Sequence, residues 1–424
     1  MAKRRLRSIK NKFQSDPKFK EDYTMFMQNL LEKGYAEPTP TDCESRKVWY
    51  IPHHGIYHKK KNKMTVVFDC SARYQGISLN DNLLHGPDLT NELLGVLIRF
   101  RGEQIAVLGD IETMFYQVKV PEAERDYLRF YWWENGNTEN EPKIFRMTVH
   151  LFGATSSPSV CNYALQRTVE DSEEQFELEV QDMVKKNAYF DDCLASVATE
   201  NKAISLVHNV TQMCKSGGFR ITKWMSNSRN VVESIPEDYR AKEAKSWSLD
   251  SRPPIERALG VYWLIENDSL GFKIQVQNKP TTRRAKSVLQ RLCKDGKGWD
   301  EEITGKDLKD WHDWLSQLPE LENITIDRCY KKSNLGNVCS CQLYGFADAS
   351  DVGYGMVIYL RLTNDSGQII CSFVLGKARV APVKTVTVPR MELTPSASLV
   401  RLCKMVTEQL NYNIDETFYW TDST

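Results

Sequence analysis

The sequence predicts an α+β protein, and three observations carry that reading. Runs with helical apolar spacing alternate along the chain with short runs rich in Val, Ile, Phe and Tyr. Two of the strand-like runs, "IAVLGDI" (105–111) and "AYFDDCLASV" (188–197), hold acids where strands rarely place them. From residue 341 the pattern becomes three strands, a helix after Pro389 and a fourth strand, which is a separate α/β unit.

The elements follow in order. "SIKNKFQSDPKFKEDYTMFMQNLLEKG" (8–34) spaces its apolar residues as helices do and stops on Gly34. "KVWYIPHHGIYH" and "KMTVVFDCSA" (63–72) read as strands. "DLTNELLGVLIRFR" (88–101) reads as an amphipathic helix capped by Asp88 or Thr90. "SSPSVCNYALQRTVEDSEEQF" (156–176) is a helix with Pro158 in its first turn. "ENKAISLVHNVTQMCKSGG" is a helix closed by Gly217 and Gly218. "RALGVYWLIENDSLGFKIQV" (257–276) reads as a β-hairpin, and 280–335 as helical, charged and Trp-rich.

Composition narrows the class. The chain has 424 residues, 41% hydrophobic and 26% charged, enough for packed cores in two to four domains. No apolar run reaches the roughly 18 residues of a membrane helix, so no membrane partner is expected. The basic N-terminus "MAKRRLRSIKNK" lacks the apolar stretch of a secretory signal. Eleven scattered cysteines suit reduced thiols better than a disulfide framework. Basic and acidic residues balance at 56 each, so only local runs, at 3–20 and in "HKKKNK" (58–63), offer charge to a nucleic acid. Such runs are more often plain solvated faces.

The acids carry the chemistry. "YFDD" fits a tight hairpin, and acids at a turn are ordinary. Asp110, at the end of its own strand, changes the weighting. Three carboxylates can hold two divalent cations about 3.5–4 Å apart, which offsets their repulsion and suits phosphoryl transfer. Oxygen ligands favour Mg²⁺ or Mn²⁺.

These stretches resemble the reverse transcriptase and RNase H region of BEL/Pao-type LTR retrotransposon polyproteins. The matching segments are collinear from about residue 8 onward and include "KVWYIPHHGIYH", "GDIETMFYQVKVPEAERDYLRFYWW", "LFGATSSPSVCNYAL", "YFDDCL", "GGFRITKWMSNS", "RVAPVKTVTVPRMELT" and "WTDST". The resemblance implies a right-hand polymerase with fingers and palm, followed by a truncated RNase H-like α/β domain. It divides the chain into a basic helical segment (1–46), fingers and palm (47–278), a shortened thumb or connection (279–335) and the RNase H-like part (336–424). It implies that Asp110, Asp191 and Asp192 hold two Mg²⁺ or Mn²⁺ ions and that Lys223 protonates the leaving pyrophosphate. Phe115 would exclude ribonucleotides, and Phe152 and Gly153 would pack under the incoming nucleotide, with Lys63 nearby. Asp348, Glu392 and Asp422 would be the RNase H acids. Taken alone, Phe115 reads as core, Lys223 as a surface charge and Glu392 as a helix N-terminal acid. The implied partners are an RNA or DNA template, a DNA or RNA primer and dNTPs. The implied location is cytoplasmic, with nuclear entry through "KRRLR" as the alternative.

The sequence departs from the family's pattern at four places. Thr65 stands where an Arg usually meets the triphosphate, and Lys63 is no bidentate substitute. The stretch 281–302 joins two family segments, with about one helix-turn-helix missing between them. Pro395 lies inside a helical pattern, where it removes a hydrogen bond beside Glu392. Thr424 follows Asp422 by two residues, so the last strand, helix and fourth acid of an RNase H fold are expected to be lacking. The competing reading is a degenerate or domesticated copy that at most binds nucleic acid. A free-standing ribonuclease is disfavoured. Minor signals carry less: His54 and His58 lie in an extended run without HExxH, "CSC" (339–341) lacks a second Cys pair, and no GxSxG supports serine hydrolysis. Trp132, Trp133 and Trp224 read as core aromatics.

Overall fold

The computed structural model describes residues 1–40, 47–58, 63–245, 255–272, 283–331, 335–383 and 387–421. The chain falls into two compact units. The first comprises Met1–Thr90, Ile111–Lys185 and Thr211–Ile221; the second comprises Asn91–Asp110, Lys186–Val210 and Thr222–Thr424.

In the first unit, helices Ala2–Ser15 and Pro17–Glu32 are separated at Asp16, whose Oδ1 accepts from the Phe19 N–H at 2.9 Å. That N-cap bond and Pro17 at the first helical position restart the helix. The buried face of the pair (Leu6, Ile9, Phe13, Phe19, Tyr23, Met27) joins one apolar core with Phe68, Phe130, Trp132 and Trp133. The two helices share this one core with the neighbouring strands. Two small antiparallel sheets complete the unit. One pairs His53–His58 with Lys63–Phe68, and the other orders Ala36–Pro38, Lys143–Met147 and Arg129–Trp132. Only 53–58 of the expected strand "KVWYIPHHGIYH" is regular; Tyr50 makes a lone bridge to Arg129.

His53 is sealed in this core. Its Nε2–H donates to the Tyr131 carbonyl at 2.9 Å, so Nδ1 accepts from the Tyr23 hydroxyl at 2.5 Å. Burial holds its pKa down at about 4, and the neighbouring His54 adds to the effect. A depressed pKa means the unfolded chain takes up a proton that the fold refuses. Stability is thus complete above about 6.5 and is lost as pH falls toward about 4, by up to ~3 kcal/mol. Thermal melts across this window should show that loss, and His53→Gln should flatten it.

In the second unit, a four-stranded sheet orders Ala188–Tyr189, Asp192–Val197, Ile105–Ile111 and Ile221–Ser226. Helix Leu93–Phe100 packs with it. This helix starts later than its pattern suggests, and neither Asp88 nor Thr90 caps it. Asp88 Oδ1 instead accepts from the Thr90 N–H at 3.0 Å, a local turn that competes with the helix. Likewise the helix expected over 156–176 ends at Asp171.

The same unit holds a second sheet, ordered Ile369–Val380, Gly353–Asn364, Val338–Ser350 and Glu416–Thr421, with only the last pair parallel. Helix Val388–Gln409 covers one face; a Cβ on Gly345 would sit 2.9 Å from Leu399. This is the three strands, helix and strand read from the sequence. Pro395 does not end the helix: the chain runs through it, although Pro395 has no N–H for the Met391 carbonyl. The hydroxyls of Thr394 and Ser396 donate to the Arg390 and Glu392 carbonyls there, at 2.8 and 2.9 Å. The region 279–335 supplies helices Arg283–Lys294 and Gly305–Gln317 and the strand Thr325–Asp327, which pairs with Ser269–Gly271.

Two cores meet on Leu93–Phe100. Val96 and Phe100 lie in the core of the first sheet, with Leu108, Leu194 and Trp263; Ile98 lies in the core of the second, with Leu343, Ile358 and Val406. Arg328, fully buried, donates to the carbonyls of Phe100, Glu103 and Gln104 and pairs with Asp268 at 2.6 Å. Arg101 donates to the carbonyls of Asp327 and Arg328, both at 3.0 Å. Trp132, Trp133 and Trp224 are core residues, 1–3% exposed. Among the described residues no cysteine is in a disulfide and no helix is long and apolar enough to cross a membrane.

Candidate active site

The hairpin that carries the acids is short. Ala188–Tyr189 leads in, Phe190 and Asp191 form the turn, and Asp192 opens the outgoing strand. Phe190 takes a left-handed φ of 53°, which a two-residue hairpin turn demands and a bulky residue resists. Strand pairing sets Asp192 directly opposite Asp110. Like charges facing each other across strands are destabilising. Lys223, on the strand at the other side of Asp110, offsets this: its Nζ lies 2.7 Å from Asp110 Oδ1. Lys223 also holds a left-handed φ, 54°, within a strand, a strained conformation of the kind that gathers at functional sites.

Asp191 reaches the surface, yet protein atoms crowd its carboxyl and raise its pKa. The Asp110 charge raises it further, while its own backbone N–H and Lys223 pull the other way. Desolvation and a neighbouring carboxylate both disfavour the ionised form, and nearby positive charge favours it. The donor set, all carboxylate, suits a hard divalent cation. Among the described residues, however, no three His, Cys, Asp or Glu side chains stand as a closed metal-ligand group. Lys223 occupies the carboxylate that such a group would use.

The residues expected on the nucleotide side lie in the first unit. The Phe115 and Phe152 rings meet at 5.8 Å, with Phe115 half-buried and Phe152 70% exposed, so neither is a plain core residue. Gly153 needs its φ of 103°, which disfavours any side chain. Asn80, which sequence reasoning missed, holds this loop: its Nδ2 donates to the Gly153 carbonyl at 3.0 Å and its Oδ1 accepts from the Thr155 N–H at 3.1 Å. Its only signal is an Asn in the polar run "LNDN". Lys63 begins its strand, with its side chain outside the described residues, and Thr65 is exposed two positions on.

Of the second acidic set, Asp348 is exposed near the end of its strand and Glu392 is half-buried in the first turns of the long helix. Asp422, the third member, lies outside the described residues.

A palm-type sheet with an acid-bearing hairpin, and an RNase H-like sheet after it in the chain, define the class: a reverse-transcriptase polymerase followed by an RNase H-like domain. Residues 88–224 match the family described as reverse transcriptase (RNA-dependent DNA polymerase), and 272–423 match the Pao retrotransposon-like RNaseH-like domain. In this order the two matches are those of a Pao/BEL-type retrotransposon reverse transcriptase and RNase H region, and by family the matched polymerase domain is an RNA-directed DNA polymerase.

Solved structures of foamy viral protease-reverse transcriptase share the fold. One complex with double-stranded DNA matches at 13% identity over 93% of this chain and 68% of that one, with a TM-score of 0.56. A complex with an RNA/DNA hybrid matches at 14% over 96% and 49%, with a TM-score of 0.55. No curated protein matches the chain in sequence.

Proposed function

We propose that this chain extends a nucleic-acid primer along an RNA or DNA template, using dNTPs, at the Asp110, Asp191 and Asp192 end of the palm sheet. One observation carries the reading: Asp110 and Asp192 face each other in register, with Asp191 beside them at the turn and Lys223 bonded to Asp110. Asp110, Asp191 and Asp192 would hold two Mg²⁺ or Mn²⁺ ions, which activate the primer hydroxyl and stabilise the leaving oxygen. Asp192 and Asp110 set the spacing of the charges through strand pairing. Lys223 carries the proton that a leaving pyrophosphate takes up. Phe115 and Phe152 form the aromatic pair that a deoxynucleotide meets.

Primer extension tests the proposal: full chain, RNA template, DNA primer, dNTPs and Mg²⁺ or Mn²⁺, with Asp191→Asn and EDTA as controls. Extension that both controls lack supports it. A folded chain that binds the duplex without extending it would instead fit the non-catalytic reading, which the exposed Thr65 favours. Lys223→Ala should lower kcat by about 10²-fold, the scale of one general acid, with little change in the KM for dNTP. It should scarcely alter the melting temperature, because the Lys223 side chain is 63% exposed and such pairs add little stability.

A further inference from the structure

We propose that Arg99 is a positioning residue for the acidic hairpin, and that Gln409, at the far end of the RNase H-like helix, holds Arg99 in place. The inference rests on the polymerase reading above and adds to it a control exerted by the second sheet's helix.

The Arg99 guanidinium divides its bonds. Nε donates to Asn187 Oδ1 at 2.6 Å and Nη2 to the Lys186 carbonyl, both at the base of the hairpin. Nη1 donates to Gln409 Oε1, the last residue of helix Val388–Gln409. Asn187 in turn accepts from the Leu194 N–H at 3.1 Å, two residues beyond Asp192. The Arg99 carbonyl accepts from Ser196 Oγ at 3.1 Å on the same outgoing strand. The hairpin is thus gripped at both of its legs from one residue.

Gly95 is an independent sign of the same device. It sits inside helix Leu93–Phe100, where Gly costs roughly 1 kcal/mol relative to Ala, and its φ is not left-handed. A Cβ there would collide with Gln409 Oε1 and come within 3.1 Å of Arg99 Nη1. The absent side chain is the space through which Gln409 reaches Arg99.

Plain domain adhesion does not explain the arrangement. Adhesion between the two sheets is supplied by Arg101, Arg328 and the shared apolar helix, whose bonds run to other segments. Arg99 alone among these arginines turns two nitrogens onto the hairpin base. Because misplacing a catalytic group by about 1 Å can cost about 10²-fold, a loosened hairpin base should register in turnover.

The test compares Gln409→Ala, Gln409→Glu and Gly95→Ala in the full chain, by amide hydrogen exchange over residues 186–195 and by steady-state primer extension. Gln409→Ala should speed exchange in that segment alone and lower kcat by ~10-fold, with KM and template–primer binding kept. Gln409→Glu, which retains an acceptor for the guanidinium, should recover most of both. Gly95→Ala should keep or raise the melting temperature, as a Gly-to-Ala change in a helix does, while loosening the hairpin. Hairpin exchange at the wild-type rate in both Gln409→Ala and Gly95→Ala overturns the proposal. So does faster exchange with unchanged kcat, or a Gln409→Glu that behaves like Gln409→Ala. A wild type that never extends a primer, while its hairpin still answers to Gln409→Ala, removes the polymerase reading and leaves the coupling standing.

Discussion

Asp191→Asn is expected to lower primer extension by at least ~10³-fold, the several kcal/mol of charge stabilisation that bound cations supply. The same variant should melt no lower than the wild type at neutral pH in EDTA. The two effects have one cause. Crowding by protein and the nearby Asp110 raise the pKa of Asp191, so the ionised form is disfavoured in the fold relative to the unfolded chain. At pH values above that raised pKa the folded protein carries this cost, and Asn does not. As pH falls through the raised value toward the ordinary Asp range, the folded chain takes up its proton first. The wild type then recovers stability and the difference between the two proteins closes. Extension assays and calorimetry on the same preparations check both halves. An active Asp191→Asn would remove the triad from the mechanism. An inactive variant that melts clearly lower would mean the carboxylate supports the fold rather than strains it.

Arg328→Met is expected to destabilise the second unit by about 3–5 kcal/mol, the range for removing one partner of a buried charge pair. Arg328 is wholly buried and bonds to Asp268 through both Nε and Nη2, at 2.6 and 2.7 Å. Its remaining donors close the carbonyls of Phe100, Glu103 and Gln104, at 2.7–2.9 Å. Methionine fills much of the volume and satisfies none of these acceptors, so their desolvation is left uncompensated. Asp268→Asn in the Arg328→Met background should cost little more, since the pair is already broken; in the wild type it should cost several-fold more. Denaturant titration of the four proteins measures this coupling. By contrast, removing Lys143 from its pair with Glu134, both more than half exposed, should change stability by less than ~0.5 kcal/mol.

The parts of this molecule that the sequence announced are those with a short-range physical signature. Asp110 ends an apolar strand and "YFDD" interrupts two others, so the acids stood out against their surroundings. The sheet-helix-strand order of the tail was legible because each element keeps its own period. The start of helix Leu93–Phe100 was misjudged because Asp88 has two local uses, cap or turn, and only the bond to Thr90 decides between them. Arg99, Asn80, Arg101 and Arg328 left no trace in composition or spacing. Their long-range partners lie 60 to 310 residues away, and an arginine in "LIRFR" or "TIDRCY" looks the same whether it faces water or a carbonyl.

The shared helix also has a consequence for how the protein is made. Leu93–Phe100 leaves the ribosome long before its second cover exists: Arg99 and Gly102 wait for Gln409 and Tyr412, each 310 residues later. At about 5–20 residues per second this is a delay of roughly 15–60 s. Until the strands carrying Leu343 and Ile358 emerge, the Ile98 face of the helix is a bare apolar stripe, and helix Val388–Gln409, which carries Val406, completes its cover only later. A nascent chain arrested before strand Val338–Ser350 should therefore bind a chaperone at that stripe more than one arrested beyond Gln409.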